Sequence, residues 1–151
     1  MTEKIRYTSA KLKDLKSILG MSMKLWKGLE KDDLEARLRK AIANETKRIF
    51  IATSSTGELV GFSFFSIRTD YVEGAKDLPT GYLEGIYLEF EYRKLGVAKE
   101  LVALGEKWCK EKGCSQIGSD TWLPATASRN FHEKLGYSEK VELVHFIKDL
   151  E

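Results

Sequence analysis

The sequence is poor in the residues that build disulfide frameworks, metal sites and stiff linkers. Its 151 residues include only 2 Cys, 2 His and 2 Pro. Two cysteines cannot staple a domain of this size or complete a four-ligand zinc site. No ligand spacing links Cys109 and Cys114 to His132 and His145, so no metal is expected. No apolar run approaches the roughly 18 residues of a membrane span. The start, Met-Thr-Glu-Lys-Ile-Arg, alternates polar and apolar residues, unlike a signal peptide. A cytoplasmic protein without a membrane partner is the expectation. No basic stripe with interleaved aromatics appears, so nucleic acid is not an expected partner either. The Gly-x-Gly-x-x-Gly dinucleotide fingerprint and the Gly-Lys-Ser/Thr phosphate loop are also missing.

The chain does contain the makings of one real core. Hydrophobic residues are 42% and charged residues 32% of the sequence, a balance that argues against long disorder. Surface scaling predicts about 7,800 Å² exposed when folded and about 70% of the unfolded surface buried. Residues 1–151 are therefore expected to form a single domain, with no repeat, linker or low-complexity tract. The net charge is only +2, but its distribution is uneven. Residues 70–91 hold six acids (Asp70, Glu73, Asp77, Glu84, Glu89, Glu91) against Lys76, a net of −5. Residues 93–112 hold six bases against three acids. An acidic stretch followed at once by a basic one suggests two ligands of opposite sign, or a mixed solvated surface.

Periodicity predicts strand 4–8, then a helix capped by Ser9 and carrying Leu12, Leu15, Ile18, Leu19, Leu25 and Trp26. A second helix begins near Asp32 or Asp33. The runs Ile49–Thr53 and Leu59–Ile67 read as a hairpin, and Tyr82–Phe90 as a strand. A helix with Val97, Leu101, Leu104 and Trp108 on its stripe ends at Gly113. Gln116–Asp120, Pro124–Leu135 and Tyr137–Ile147 complete the order β-α-α-β-β-β-α-β-α-β. That order means an α/β fold, a mixed sheet with helices on both faces.

Chemistry concentrates where the strand before Arg93 runs into the turn Arg93-Lys94-Leu95-Gly96-Val97-Ala98 and opens the next helix. The first N–H groups of a helix lack internal partners and point outward at the positive end of its dipole. Gly96 lets main chain approach a ligand without a Cβ in the way. Arg93, Lys94 and Lys99 add positive charge. The segment reads as a pyrophosphate cradle made mostly of backbone.

Arg93-x-x-Gly96-x-Ala98, between a strand and a helix, resembles the acetyl-CoA signature of the GNAT acetyltransferase superfamily, whose element order matches nearly the whole chain. Phe131-His132-Glu133-Lys134-Leu135-Gly136-Tyr137 resembles that family's closing helix-to-strand motif. Tyr71-Val72-Glu73-Gly74, Tyr82-Leu83-Glu84-Gly85-Ile86 and Ser119-Asp120-Thr121 are similar to bacterial aminoglycoside 6′-N-acetyltransferases. The resemblance implies a mostly antiparallel sheet in which the strand before the cradle and the short strand after the helix splay apart. The pantetheine arm of acetyl-CoA, as co-substrate, would lie in that gap. Main chain of Glu84–Leu88, with Leu88 foremost, would hold its amides, and the amides of Gly96, Val97, Ala98 and Lys99 its pyrophosphate. Two positions depart from the family: Ala125 stands where relatives often carry asparagine, and His132 where they carry tyrosine.

An alkylamine, with a pKa near 10.4, must lose a proton before it attacks a thioester. The resemblance implies that Glu84 and Asp120 contact a small cationic amine substrate, with Asp120 as base. Each has a plainer reading, Glu84 as a solvent-facing strand carboxylate and Asp120 as a helix cap. Trp26 is either the rim residue against which a sugar ring packs or the core end of its helix. Tyr71 and Glu73 fall in the loop where such enzymes meet their antibiotic. His132 is either the acid that protonates the departing thiolate or a helix histidine satisfied by a carbonyl. No cysteine sits in a nucleophile's setting, so direct transfer is expected over an acyl-enzyme. The expected function is N-acetylation of an aminoglycoside at its 6′-amine. The alternatives are acetylation of a polyamine or other metabolite amine, and a catalytically weak CoA-binding protein. Members of the resembled group are often dimers, and the Val141–Phe146 run offers an interface for a homodimer.

Overall fold

The computed structural model describes residues 3–151; Met1 and Thr2, the first positions of the alternating start, lie outside the described residues. Its elements run β1 (Arg6–Ser9), α1 (Leu15–Leu25), α2 (Lys31–Ala43), β2 (Lys47–Thr53), β3 (Leu59–Arg68), β4 (Thr80–Leu88), α3 (Val97–Glu111), β5 (Ile117–Ser119) and α4 (Thr126–Lys134). Short 3₁₀ turns precede α1, at Leu12–Asp14, and follow β4, at Phe90–Tyr92. The strands form one sheet in the order β1-β2-β3-β4-β5, antiparallel throughout except for the parallel pair β4–β5. The chain divides into two compact units, one up to Ser119 and one from Asp120 to Glu151.

In the first unit, alternation decides which helix each strand residue meets. Ile49, Ile51 and Phe62 turn to one face and bury against Ile18, Leu19, Leu34 and Leu38 of α1 and α2. The intervening residues turn to the other face, under α3. There Phe50 meets Phe65 edge-on at 6.2 Å, and Ser63 Oγ donates to Leu101 O at 3.2 Å. Each fully buried side chain in these clusters contributes about 1.5–3 kcal/mol.

Three expectations are corrected. Ser9 does not cap α1: it ends β1, and its Oγ accepts from Arg48 Nη1 at 3.1 Å. The chain enters α1 through the 3₁₀ turn instead, where Asp14 Oδ2 accepts the Lys11 N–H at 2.9 Å. Leu12, expected on the apolar stripe, is consequently exposed. Finally, residues 137–151 form no strand, and their apolar side chains are exposed, up to 98% at Ile147. Alternation states which side chains would share a face; a strand also needs a neighbour to take its backbone hydrogen bonds.

Within the second unit, Arg129 organises the chain. Its Nε and Nη2 donate to Glu139 at 2.8 Å each, and its Nη1 donates to Leu123 O at 2.9 Å.

Candidate active site

Strand β4 carries the centre of the site. Its ladder with β5 pairs Gly81 with Ile117, Tyr82 with Gly118 and Leu83 with Ser119, and stops there. Beyond Leu83, β4 continues to Leu88 with no sheet partner on that side among the described residues. That open edge, residues 84–88, is the segment that the resemblance implied would line the pantetheine arm. Glu84 is the residue of β4 that follows the last pair.

A bulge aims Glu84. On the β3 side, Phe64 pairs with Gly85 and Phe65 with Leu83, so Glu84 has no cross-strand partner of its own. Such a bulge redirects a side chain next to a site. The Glu84 carboxylate lies beside Ser66 and Arg68, which share the α1 face of β3 with Phe62 and Phe64 by alternation. Arg68 Nη2 donates to Oε1 at 2.9 Å and to Oε2 at 3.0 Å, and Arg68 Nε donates to Oε2 at 3.1 Å. Ser66 Oγ donates to Oε2 as well. The Arg68 guanidinium also stacks 3.4 Å above the Tyr82 ring.

Trp26 stands over the next residue of β4. Its indole occupies the space that a Cβ on Gly85 would need, and its ring lies 6.1 Å from Phe62. Half-buried, it packs on the core and walls the strand at Glu84's neighbour. The core reading describes these contacts. In the loop before β4, Tyr71 is 72% exposed and donates its hydroxyl to Glu73 Oε2 at 3.4 Å. Buried Val72 anchors that loop, and the Lys76 N–H bonds Gln116 Oε1 at 2.7 Å. Tyr71, Val72, Ala75, Lys76, Asp77 and Leu78 line a pocket of about 410 Å³ there.

At the other end of β4 the turn has the form expected of a cradle. Gly96 adopts φ +84°, in the left-handed region, and has nothing within 4 Å of where a Cβ would stand. Glu100 N–H bonds Gly96 O at 3.1 Å, the first turn of α3. Val97, Ala98 and Lys99 precede it in the helix and have no residue of α3 to accept their N–H groups. The open glycine and these amides fit a pyrophosphate. Arg93 turns toward the end of β4. It folds back, donating Nε–H to Leu88 O at 3.0 Å, with its guanidinium 5.6 Å from the Tyr87 ring. Leu88 itself is buried.

Among the remaining expected residues, Asp120 is exposed at the start of the second unit. His132 sits in α4 with Nδ1 2.7 Å from Ser128 O. A carbonyl only accepts, so Nδ1 carries the proton there and any proton passed onward leaves from Nε2. Edge-on contacts with Phe131 at 5.9 Å and Tyr137 at 5.6 Å hold the ring further. Cys109 is a core residue beside Gly81, as its place on the α3 stripe predicts. Burial, with Cys114 adding, pushes its thiol up to about 12. That suppresses the thiolate a nucleophile needs.

Sequence reading missed Arg68 and Ser66. The expected run Leu59–Ile67 stopped short of Arg68, and their distance from Glu84, 16 and 18 residues along the chain, gave no signal of the contact.

The open β4 edge, the bulge-aimed carboxylate and the left-handed glycine at the head of α3 define a cofactor-binding acyltransferase architecture. The profile of the Acetyltransferase (GNAT) family matches residues 14–137, and the chain belongs to this family. Aminoglycoside N(6′)-acetyltransferase type 1 of Serratia marcescens is 33% identical over 137 residues, 91% of this chain and 94% of that protein. The structure of aminoglycoside N-acetyltransferase AAC(6′)-Iy in complex with CoA superposes with a TM-score of 0.93. It is 31% identical and covers 99% of this chain and 98% of its own. AAC(6′)-Iy in complex with a bisubstrate analog, CoA-S-monomethyl-acetylneamine, gives a TM-score of 0.92 at 31% identity, covering 97% and 99%.

Proposed function

We propose that this protein transfers an acetyl group from acetyl-CoA to the 6′-amine of aminoglycosides, and so confers resistance to them. The observation that carries the reading is the edge of β4 that loses its partner beyond Leu83 and leads to the Gly96 turn. Relatives of similar length named as aminoglycoside N(6′)-acetyltransferases support the acceptor. The family match spans residues 14–137, across both compact units, which supports one catalytic domain over 1–151.

In this reading the amides of Gly96, Val97, Ala98 and Lys99 hold the pyrophosphate, and main chain of Glu84–Leu88 lines the pantetheine. Arg93 supports the cradle by tying the turn to Leu88 rather than by meeting phosphate itself. Glu84 binds the acceptor cation, with Trp26, Tyr71 and Glu73 along the sugar. Asp120 takes a proton from the ammonium. The freed nitrogen attacks the acetyl carbonyl carbon to give a tetrahedral intermediate, its second proton passes to water, and the carbon–sulfur bond breaks as His132, having taken up a proton from water at Nε2, gives that proton to the thiolate. Acetylation removes one positive charge and one donor set, which weakens a drug's hold on RNA phosphates.

The same reading makes the protein a cytoplasmic homodimer, needing no metal, membrane or nucleic acid. One observation supports the dimer: Val144, Phe146 and Ile147 are among the exposed apolar side chains. Patches of that kind mark association surfaces.

The test is thiol release from acetyl-CoA with aminoglycosides, spermidine and peptide amines in parallel, with the acetylated nitrogen located by NMR. Release with aminoglycosides and acetylation at the 6′-nitrogen is expected. Turnover of spermidine or a peptide amine alone would overturn the acceptor assignment.

A further inference from the structure

Glu84 does not present an open carboxylate. Oε2 already accepts from Ser66 Oγ, Arg68 Nε and Arg68 Nη2, whereas Oε1 accepts only from Arg68 Nη2 among the described residues. An ionised carboxylate offers about four lone-pair directions, two on each oxygen. Oε2 is therefore fully used, and Oε1 keeps one direction. The guanidinium that imposes this is itself held, 3.4 Å above the Tyr82 ring and forked on the carboxylate. A planar fork fixes its partner in a way that a lysine ammonium does not. The Glu84–Arg68 pair is partly exposed, with side chains 24% and 40% accessible, so a ligand can reach that oxygen.

We propose that Arg68 is a positioning residue for acceptor specificity: it locks Glu84 so that one oxygen makes one hydrogen bond, to an ammonium at one place. This rests on the acceptor reading above, in which Glu84 meets a cationic amine. Held in this way, Glu84 aims the amine and leaves proton removal to another group. Arg68 also cancels Glu84's charge at the site. The long-range pull on a polycation then comes from the surrounding acids of residues 70–91, and Glu84 contributes direction.

The experiment uses steady-state kinetics with an aminoglycoside on Arg68→Ala, Arg68→Lys, Glu84→Ala and the double variant Arg68→Ala/Glu84→Ala, each checked for folding by circular dichroism. Loss of aim without loss of negative charge lowers kcat and spares KM. Arg68→Ala is expected to lower kcat about 10- to 100-fold. Its KM should stay within about twofold and become more sensitive to salt, because a carboxylate has been unmasked. Arg68→Lys should restore the wild-type salt dependence but not kcat. In the Glu84→Ala background the sign reverses: removing Arg68 should lower KM, by deleting a cation beside the place where the ammonium binds, and leave kcat unchanged.

A folded Arg68→Ala protein with kcat within about twofold of wild type overturns the proposal. So does full recovery of kcat by Arg68→Lys, which would make charge sufficient, and so do independent losses in the double variant. If Arg68→Ala does not fold, the kcat of Arg68→Lys decides alone. Failure of the wild type to acetylate any aminoglycoside overturns the acceptor reading instead. The Arg68 variants are then read on whichever amine turns over.

Discussion

Arg93 donates its Nε–H to the carbonyl oxygen of Leu88 at 3.0 Å. The signature arginine thus stitches the cradle turn to the end of the strand that leads into it. Its Nε–H is committed to protein, while Gly96 and the amides that follow it open the head of α3. Two consequences of unequal size follow from this division.

Gly96→Glu should abolish measurable acetyl-CoA binding. The residue sits at φ +84°, where any side chain is strained, typically by about 1–2 kcal/mol, and a carboxylate adds like charge against phosphate. Arg93→Ala should cost far less, about tenfold or below, because it loosens the turn without removing an amide. Calorimetric titration of both folded variants with acetyl-CoA checks the ranking; equal losses would contradict it.

Asp120→Asn should lower kcat by about 10²–10⁴-fold, the usual size of a lost general base. Glu84→Gln should mainly raise KM for the aminoglycoside, since the amide no longer balances the Arg68 cation and accepts on one terminal atom instead of two. Acetyl-CoA affinity should hardly move in either. Steady-state kinetics with both substrates varied separates these outcomes.

His132→Ala should lower kcat with little change in the KM for acetyl-CoA, if Nε2 delivers the proton to the thiolate. Unchanged kcat would reduce the ring to its bond with Ser128 O and its contacts with Phe131 and Tyr137.

Trp26 packs on both Phe62 and Gly85 of β4, so substitutions there should split by size. Trp26→Ala uncovers Phe62 and Gly85 and should lower stability by about 2 kcal/mol, less than the 3–5 of a fully buried tryptophan. Trp26→Phe should keep most of that stability while raising KM for the acceptor. Gly85→Val should push the indole aside and give both effects. Denaturant titrations beside kinetics test the split.

Folding raises the Cys109 thiol to about 12 from an ordinary value of 9. The unfolded chain therefore loses this proton first, and between those values it binds fewer protons than the folded chain. Stability present below pH 9 should decline as pH rises through that window. Cys114 is raised by burial in the same direction. Urea midpoints at pH 8, 9.5 and 10.5 should fall in the wild type and fall less steeply in Cys109→Ala. Thiol reagents should label neither cysteine quickly in the native protein.

Much was readable from the chain because it depends on neighbours in sequence. Alternation in 47–53 and 59–68, the stripe of Val97, Leu101 and Trp108, and a glycine opening a helix are all local patterns, and the elements appeared within a few residues of them. The Arg93–Ala98 motif and the Glu84 segment were recognisable for the same reason. What no local pattern contains is pairing. The point where β4 parts from β5, the bulge that leaves Glu84 without a partner, and the capture of its carboxylate by Arg68 depend on which strand lies beside which, and in what register. Residues 137–147 show the converse: their alternation is strand-like, yet they join no sheet ladder among the described residues. Sequence determined the elements and the chemical groups they carry, because propensity and periodicity act over a few residues. Only the tertiary structure decided which oxygen of Glu84 remains available, because hydrogen-bond capacity is set by whatever folding brings alongside.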